Sequence, residues 1–578
     1  MLNETELLHA PRGLALPHAD LSTTRILTLA VPGVRASLRA AASVAAFFAA
    51  LAIAGLNEHA PLGIQPGQLG QLLAANVPLI AAFAAAYAVT RPWPAFLVVL
   101  LMTPLWNAAQ VSWQVGPVQV ILQTVFIVAL ALGCVLRSGD ERARTAPERA
   151  SGRRPSSEVI ARRAASPAAG PRPERARVIG FASHHVGWIA TIAVIGCATA
   201  STVLSPDVET SLAVLLHGIF EPIAMGILLL LIGTNRRRLA LVLIALGLSV
   251  ALGGAINLVQ SIPAFGSLDA LQAKRLLFSR LTYFNVGLFG EMLAMAAPLL
   301  LGAIAARRHL GLGRYAVTIL AIALVVSVVS LFLTFSKSAY LATAGGVLVF
   351  FLLLAGTWRR RFGILLVATA LSAVVVPWPA YVLQVSPTLE SVYRDTMVKL
   401  VGESRYDSWN PSALSGRGSL VERLLATEAA VQMAVDHPIL GIGLDQFKSE
   451  YQGAYKNPQS NFPADSAHTF WPEVAAELGI PALALVVLIF ASALLALWRV
   501  YRAPPDEATR VLALTLLASL VAWLMVATAF AGDMYRPWRN MSSDFVMMAV
   551  LTGAAFALSR GMLARGNLQP AKVTRAAS

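Results

Sequence analysis

The sequence predicts an all-α membrane protein of about 12 to 14 spanning helices with one polar domain on the outer face of the membrane. Only 13% of the 578 residues are charged, whereas an average soluble protein has about 25%. Hydrophobic residues make up 57% of the chain, and the mean hydropathy is +0.67. The apolar residues fall in runs of roughly 20, the length that crosses a bilayer as a helix. Lipid is therefore the expected solvent for most of the chain.

The spans follow from the apolar runs in chain order. The runs lie near 38–56, 70–89, 94–110, 117–136, 184–204, 211–233, 238–259, 283–305, 314–334, 338–356, 361–384, 473–498, 509–531 and 542–559. We predict four spans over 38–136, seven over 184–384 and three over 473–559. Residues 1–37 lack a compact apolar core before a cleavage site. We expect them to be a cytoplasmic tail and the first run to remain an anchor.

The distribution of basic residues orients these spans. The net charge of +15 could indicate a nucleic-acid partner. The Arg clusters at 236–238, 307–308 and 359–361, however, lie in short loops between apolar runs. An N-terminus in the cytoplasm puts these clusters on the cytoplasmic side, together with Arg499, Arg502 and the tail 560–578, as the positive-inside rule requires. The charge therefore favours a membrane topology and no nucleic-acid partner.

Residues 137–183 form the long loop that this topology places in the cytoplasm. The segment is rich in Arg, Ala, Pro and Ser, a composition that predicts disorder. Its arginines would either contact anionic lipid head groups or form a solvated basic loop.

Residues 385–472 are the long segment that the topology leaves on the outer face. Within it, Leu420, Leu424, Val431 and Val435 recur at helical spacing. Gly418-Ser419 would open this helix and His437-Pro438 would close it. Because one face is mainly apolar, we expect the helix to lie along the membrane or to pack on the bundle.

Several arginines on the outer face run against the topological bias, among them Arg275, Arg280 and Arg417. Guanidinium groups match phosphate oxygens in bidentate geometry. A lipid diphosphate at the outer leaflet is therefore a candidate partner. The alternative is ordinary salt bridging with the carboxylates of the same outer segments.

His468 is the candidate general base, because a neutral imidazole can take a proton from an attacking hydroxyl. Asp465 or Glu473 could orient the ring. The alternative is a polar residue at the membrane interface. The outer segment has no Asp-x-Asp pair and no His/Cys ligand set, so the sequence predicts neither metal nor cofactor. Cys134 and Cys197 lie in apolar runs and are interpreted as small apolar residues.

These residues resemble the O-antigen ligase and polymerase superfamily. The stretch 436–447, DHPILGIGLDQF, resembles the family element HPLLGVGxxxF. His468 is followed by Glu477 nine residues on and by Gly479 eleven residues on, which is similar to the element HNxxLxxxxExGxxG. Arg417, after Ser415-Gly416, resembles the arginine that opens the family's outer helix. Arg280 is similar to the earlier outer arginine, and Arg275 competes for that role.

Three positions depart from the family elements. Thr469 replaces the usual Asn, Pro472 stands where Leu is common, and Ala482 replaces the last Gly. These departures indicate a divergent branch and leave the acceptor open.

The resemblance implies a GT-C-like helical fold in the bacterial inner membrane, with the active site on the periplasmic side. It implies transfer of a glycan from undecaprenyl diphosphate to lipid A-core, another glycan or a protein hydroxyl, with inversion and without metal. His468 would be the base, and Arg280 or Arg275 would bind the diphosphate together with Arg417. Glu477 would hold His468 or a neighbouring arginine, and the alternative is a capped carboxylate at the membrane interface. Asp465 would support the site.

Gly479 would allow close helix packing at the start of the next span. The family contains both ligases and polysaccharide polymerases, and the sequence does not separate these two activities.

Two readings from other classes stay open. A lipid or solute transporter would place charges inside its spans. Here the predicted spans are nearly free of charge, and Glu221 and Glu291 are the chief exceptions. His217 lies one helical turn from Glu221, and this pair would either line a cavity or serve the structure. A non-catalytic assembly scaffold is the third possibility.

Overall fold

A computed structural model of the chain describes most of the predicted bundle. The described residues are 87–109, 112–115, 118–121, 124–134, 172–232, 235–262, 286–334, 336–375, 419–458, 460, 464–528 and 543–568. The first predicted span, most of the second and most of the basic loop 137–183 lie outside these residues. Arg275, Arg280 and Arg417 also lie outside them.

The described part begins with a helix, a short hairpin and a second helix. These are α1 (Pro92–Ala109), β1 (Ser112–Val115), β2 (Val118–Ile121) and α2 (Thr124–Cys134). The strands pair antiparallel, with Ser112 opposite Ile121. β-branched residues favour an extended strand, and three of the four residues of β2 are β-branched. The helix predicted over 117–136 therefore begins only at Thr124.

The central helices follow the predicted runs closely. They are α3 (Arg172–Val203), α4 (Val208–Val214), a π-helix (Leu215–Phe220), α5 (Glu221–Ile232), α6 (Arg236–Ser261), α7 (Val286–Ala305), α8 (Arg307–Leu310), α9 (Arg314–Thr334), α10 (Lys337–Leu354) and α11 (Trp358–Val375). Side chains cap several of the helix starts. The Asp207 carboxylate accepts the N–H of Thr210, and the Asn235 amide oxygen accepts the N–H of Arg238, as N-cap residues do.

The C-terminal part contains the outer segment and the last helices. Its elements are α12 (Ser419–Asp436), α13 (Phe447–Glu450), a second π-helix (Tyr451–Tyr455), α14 (Phe470–Leu478), α15 (Ile480–Arg502), α16 (Glu507–Thr528) and α17 (Ser543–Leu568). The run predicted as one span over 473–498 is two helices. They meet at Gly479, whose φ of 87° lies outside the helical range of any L-residue.

Seven helical stretches in the described part of the chain are long and apolar enough to cross a membrane. They are His185–Val203, Val208–Ile232, Arg236–Val259, Leu288–Ala305, Arg314–Thr334, Ile480–Arg502 and Glu507–Thr528. Shorter apolar helices accompany them at Pro92–Leu101, Thr124–Cys134, Ser338–Leu354 and Val546–Arg560. The predicted all-α, polytopic class is confirmed. The total number of spans stays a prediction.

Burial distinguishes the centre of this bundle from its periphery. α7 and α16 are mostly buried, whereas α9 and α15 leave most of their surface uncovered. α15 packs on α3, α16 packs on α7 and α10, and α17 packs on α5. Small residues let the helices approach closely. A Cβ atom at Gly226 of α5 would lie 2.7 Å from the carbonyl oxygen of Ala549 in α17.

Candidate active site

His468 lies in a strained turn directly before α14. Its φ is 55°, in the left-handed region that few residues other than glycine adopt. The side chain is half-buried, between the buried residues Ala467 and Thr469. Strained backbone of this kind clusters at functional sites, where the surrounding structure holds it in place.

Hydrogen bonds hold the backbone next to His468. The Glu473 carboxylate, on the first turn of α14, accepts the N–H of Ala467 at 3.2 Å. The Thr427 hydroxyl of α12 donates to the carbonyl oxygen of Ala467 at 3.0 Å and lies 3.0 Å from the Thr469 hydroxyl. Glu473 is 2% exposed, so water competes little for these bonds. The turn is thus held from both α12 and α14.

An apolar cluster packs α12 against the same turn. Ala426, Ala429, Ala430 and Met433 of α12 are buried against Phe447, Tyr451, Ala464 and Ala467. The rings of Phe447 and Tyr451 stack, with their centroids 5.6 Å apart. Alanines on the facing side of α12 allow the chain around His468 to approach the helix closely.

The segment 438–442 interlocks with the junction of α14 and α15. The N–H of Ile442 donates to the carbonyl oxygen of Ala476 at 2.8 Å. The N–H of Ile480 donates to the carbonyl oxygen of Pro438 at 2.9 Å. A Cβ atom at Gly479 would overlap the carbonyl oxygen of Ile439.

Gly441 completes this interlock from the other side. Its φ is 69°, and a Cβ atom there would overlap the backbone of Glu477. Gly441 and Gly479 therefore belong to one close backbone contact. The interpretation of Gly479 as a close-packing residue agrees with this geometry.

Glu477 is a buried anchor for the turn that follows Gly441. It is 1% exposed, and its carboxylate accepts the N–H of Phe447 at 3.3 Å. The Ser201 hydroxyl of α3 donates to the Glu477 carbonyl oxygen at 2.7 Å. Glu477 thus connects α14, α13 and α3. Its predicted contact with His468 or an arginine stays a prediction.

Asp465 forms an ion pair with Lys448, with the carboxylate oxygen and Nζ 3.2 Å apart. Both side chains are more than 40% exposed, and an ion pair in water stabilises little. The Glu473 carboxylate, the other group proposed to orient His468, binds the backbone N–H of Ala467 next to it. A direct role for Asp465 stays a prediction.

Ser211 of α4 binds the segment after Gly443. The Ser211 hydroxyl donates to the Leu444 carbonyl oxygen at 2.5 Å, and the Gln446 amide donates to Ser211 at 3.4 Å. Hydrogen bonds from Thr210 hold the pKa of Asp207 below its usual range, because they favour the ionised carboxylate. The charged cap stabilises the helix start beside this contact.

Tyr455 ties the second π-helix to the end of α12. Its hydroxyl donates to the Asp436 carboxylate at 2.9 Å. Burial raises the pKa of Tyr455, and the bond to Asp436 raises it further. The phenol therefore stays protonated and remains a donor at neutral pH.

An apolar cavity of about 120 Å³ lies against α14. Helices α3, α5, α15 and α17 and the first π-helix surround it, and Phe470 and Leu478 of α14 contribute to its wall. Thr191 and Thr552 are polar residues in this lining. Because Phe470 is two residues from His468, α14 has the turn at its start and the cavity along its side.

A buried polar pair lies beside this cavity. His217 Nδ1 and a Glu221 carboxylate oxygen are 2.9 Å apart, and both side chains are at least 94% buried. The Thr124 hydroxyl of α2 donates to the same oxygen. Gly218, Ile219 and Pro222 of the same helix line the cavity. The geometry favours the structural interpretation of the pair, which joins α2 to the first π-helix.

A metal ion requires a set of ligand side chains that lie close together. The residues that the structure describes contain no group of three or more His, Cys, Asp or Glu side chains placed to hold a metal ion. Metal independence of the chemistry stays a prediction.

Comparison with known proteins places a family domain on this site. Residues 321–487 match the model of the family Wzy_C, described as O-antigen ligase. The matched stretch includes α12, the interlocked glycines, His468 and the start of α15. No curated protein matches the chain. The match confirms the resemblance to the O-antigen ligase and polymerase superfamily.

Proposed function

We propose that this chain, which carries an O-antigen ligase domain over residues 321–487, transfers a glycan from undecaprenyl diphosphate to an acceptor hydroxyl. The domain and the apolar helices support a membrane glycosyltransferase of the ligase or polymerase type. Transfer to an acceptor hydroxyl is supported mainly by the geometry of His468. Its half-buried imidazole belongs to a strained turn that α12 and α14 hold in place. We place the reaction at the periplasmic face of the bacterial inner membrane.

In the proposed reaction, the neutral His468 ring takes the proton of the acceptor hydroxyl. The acceptor oxygen then attacks the anomeric carbon from the face opposite the diphosphate. The bond from the anomeric carbon to the diphosphate oxygen breaks, and its electron pair leaves with the lipid diphosphate. The anomeric centre is therefore inverted.

Arg417, together with Arg280 or Arg275, would neutralise the charge that develops on the leaving diphosphate. Guanidinium groups suit this task because they bind two phosphate oxygens at once. Electrostatic stabilisation of a leaving group is commonly the largest single contribution to catalysis. No metal ion or cofactor is required by this scheme.

The cavity beside α14 supports a lipid-linked donor. Its lining is almost entirely apolar. A cavity of roughly 150 Å³ takes a benzene molecule, so about 120 Å³ suits one short apolar group such as an isoprene unit. We propose that the part of the polyprenyl chain nearest the diphosphate rests here.

The central test substitutes His468 by Asn, which tolerates the left-handed backbone and cannot serve as a base. We expect transfer by reconstituted protein to fall roughly 10²–10⁴-fold, the usual contribution of a general base. The thermal unfolding temperature should change little. His309→Ala, at an exposed residue of the short helix α8, is the control. Wild-type transfer by the His468→Asn protein would remove His468 from the mechanism.

The acceptor distinguishes a ligase from the alternative, a polysaccharide polymerase. A deletion strain separates them through the glycans on its lipid A. Loss of all glycan from lipid A favours a ligase, whereas single repeat units on lipid A favour a polymerase. Transport of a labelled lipid at the wild-type rate by the His468→Asn protein would instead favour the transporter reading.

A further inference from the structure

Helix α12 has two different apolar faces, and only one of them is packed. Its Ala426, Ala430 and Met433 are fully buried. On the opposite side, Leu424 is 47% exposed, Val431 49% and Val435 68%. Val431 and Val435 follow Leu424 by seven and eleven positions, so the three side chains lie on one face of the helix. The apolar stripe that the sequence indicates is therefore the uncovered face.

The stripe continues beyond the end of α12. Ile439 is 70% exposed, and the neighbouring Pro438 carbonyl oxygen accepts the N–H of Ile480. Ile480 is the first residue of α15, a candidate membrane span, and it is 49% exposed. The stripe therefore ends beside the first turn of a span.

The uncovered surface of α15 is apolar along its length. Val487, Leu488, Leu495 and Trp498 are each more than 40% exposed. In a helical membrane protein such a surface faces lipid. The exposed stripe of α12 and Ile439 is continuous with this lipid-facing surface through Ile480.

A second group of uncovered apolar residues lies at the same end of the bundle. Val203, the last residue of α3, and Leu204, which follows it, are 66% and 68% exposed. Ser211, a few residues further on, binds the Leu444 carbonyl oxygen. Exposed apolar side chains thus flank the segment 438–446 on two sides, as expected where a membrane surface meets the protein.

We propose that Leu424, Val431, Val435 and Ile439, the α12 stripe, lie in the outer boundary of the acyl-chain region, so that lipid covers them. The polar residues Glu428 and Gln432 lie beside the stripe and are exposed, as on a helix that rests in the membrane interface. A second protein molecule is a poorer occupant. Four side chains are far fewer than the roughly 20–30 residues that each partner gives to a stable interface.

The test measures lipid contact directly. Cys134 and Cys197 are replaced by Ala, and single cysteines at Val435 and Ile439 are labelled with an environment-sensitive nitrobenzoxadiazole fluorophore. Protein is placed in nanodiscs of phosphatidylcholine that carries a nitroxide high in its acyl chain. We expect the fluorescence loss at both positions to match that of a label at Val487 in α15. A label at Gln432, one residue from the stripe, should show no loss above that caused by lipid-free nitroxide.

Two results would overturn the proposal. Emission at Val435 and Ile439 at the same wavelength as at Gln432, without quenching, would place the stripe in water. Blue-shifted emission that the nitroxide lipid fails to quench would mean that protein covers it, either this chain or a partner. The measurement needs no transfer reaction, so its outcome is independent of the proposed function.

Discussion

The backbone of His468 is less stable than that of an ordinary turn residue. A left-handed conformation costs about 1–2 kcal/mol for a residue with a Cβ atom. The bonds from Glu473 and Thr427 to the two backbone groups of Ala467 offset this cost, because each buried hydrogen bond contributes about 0.5–1.5 kcal/mol and a charged acceptor more. The turn therefore depends on these two side chains.

At Glu473, the acceptor and not the charge should matter for the turn. Glu473→Gln keeps a carbonyl oxygen for the Ala467 N–H and should retain most of the activity. Glu473→Ala leaves that buried N–H without its acceptor, at about 1–3 kcal/mol, and should lower kcat with little effect on KM. Steady-state rates in nanodiscs measure this. Glu209→Ala, which removes an exposed carboxylate at the start of α4, is the control, and equal kcat for both Glu473 variants would contradict the positioning role.

At Arg417, the shape of the cation should matter as well as its charge. Lysine keeps the charge but loses the planar fork that binds two phosphate oxygens. Loss of one charged hydrogen bond corresponds to about 1.5–3 kcal/mol. We expect Arg417→Lys to reduce transfer about 10- to 100-fold, measured with purified lipid-linked donor. Arg502→Lys, at the far end of α15, serves as the control. Equal activity of Arg417→Lys and wild type would argue against bidentate binding of the diphosphate by Arg417.

At the scale of elements, the contact between segment 438–442 and the end of α14 should tolerate no side chain at Gly479. Gly479→Ala would place a methyl group against the Ile439 carbonyl oxygen and force a left-handed alanine. We expect a loss of about 2 kcal/mol or more in stability, seen as a lower thermal unfolding temperature.

The control for this variant is Gly453→Ala. A Cβ atom at Gly453 meets open space, and the residue lies in the second π-helix, where alanine is the better helix former. Its unfolding temperature should stay the same or rise. Equal behaviour of the two variants would mean that the interlock around Gly479 contributes nothing to stability.

Apolar runs predict most helices of this chain because lipid selects for them directly. The same signal hid the break at Gly479, since α14 and α15 form one apolar run in which Glu477 is buried. It also hid the hairpin before α2. The spacing of the stripe in α12 was recognised, but the packed face is the one lined by alanines, whose hydropathy is modest.

At the site, the elements shared with the family identified His468, Glu477 and Gly479. The sequence does not predict the contacts of Thr427, Ser201 and Ser211, which fix the segments around these residues. Their partners lie 40, 276 and 233 positions away in the chain. A lone serine or threonine in an apolar helix gives no local sign of such a contact.

At the scale of the whole molecule, α15 separates the candidate site from the basic end of the bundle. The helix has 23 residues, or roughly 34 Å at 1.5 Å per residue, which matches the hydrocarbon core of a bilayer. Ile480 lies beside the interlock, and Arg499 and Arg502 lie in the last turn. At the basic end, Arg236 of α6 pairs with Asp506, just before α16. The site and this ion pair should lie on opposite sides of the membrane.

Cysteine labelling tests this orientation with two exposed glycines that have open space around them, Gly453 and Gly313. A membrane-impermeant maleimide should label Gly453→Cys in cells whose inner membrane is intact. Gly313→Cys, in the loop before α9, should react only after that membrane is permeabilised. The reverse pattern would place His468 in the cytoplasm and exclude the proposed donor geometry.

The paired contacts around Gly479 also fix α14, the helix that follows the His468 turn, to its neighbours. The bonds at Pro438 and Ala476 join segment 438–442 to α15 and α14, and the bond at Glu477 joins α14 to α3. A thinner or thicker bilayer makes spanning helices change tilt to relieve hydrophobic mismatch. We therefore expect a change in the tilt of α15 to move α14 and the His468 turn at its start, so that the reach of the imidazole toward a lipid head group varies with membrane thickness.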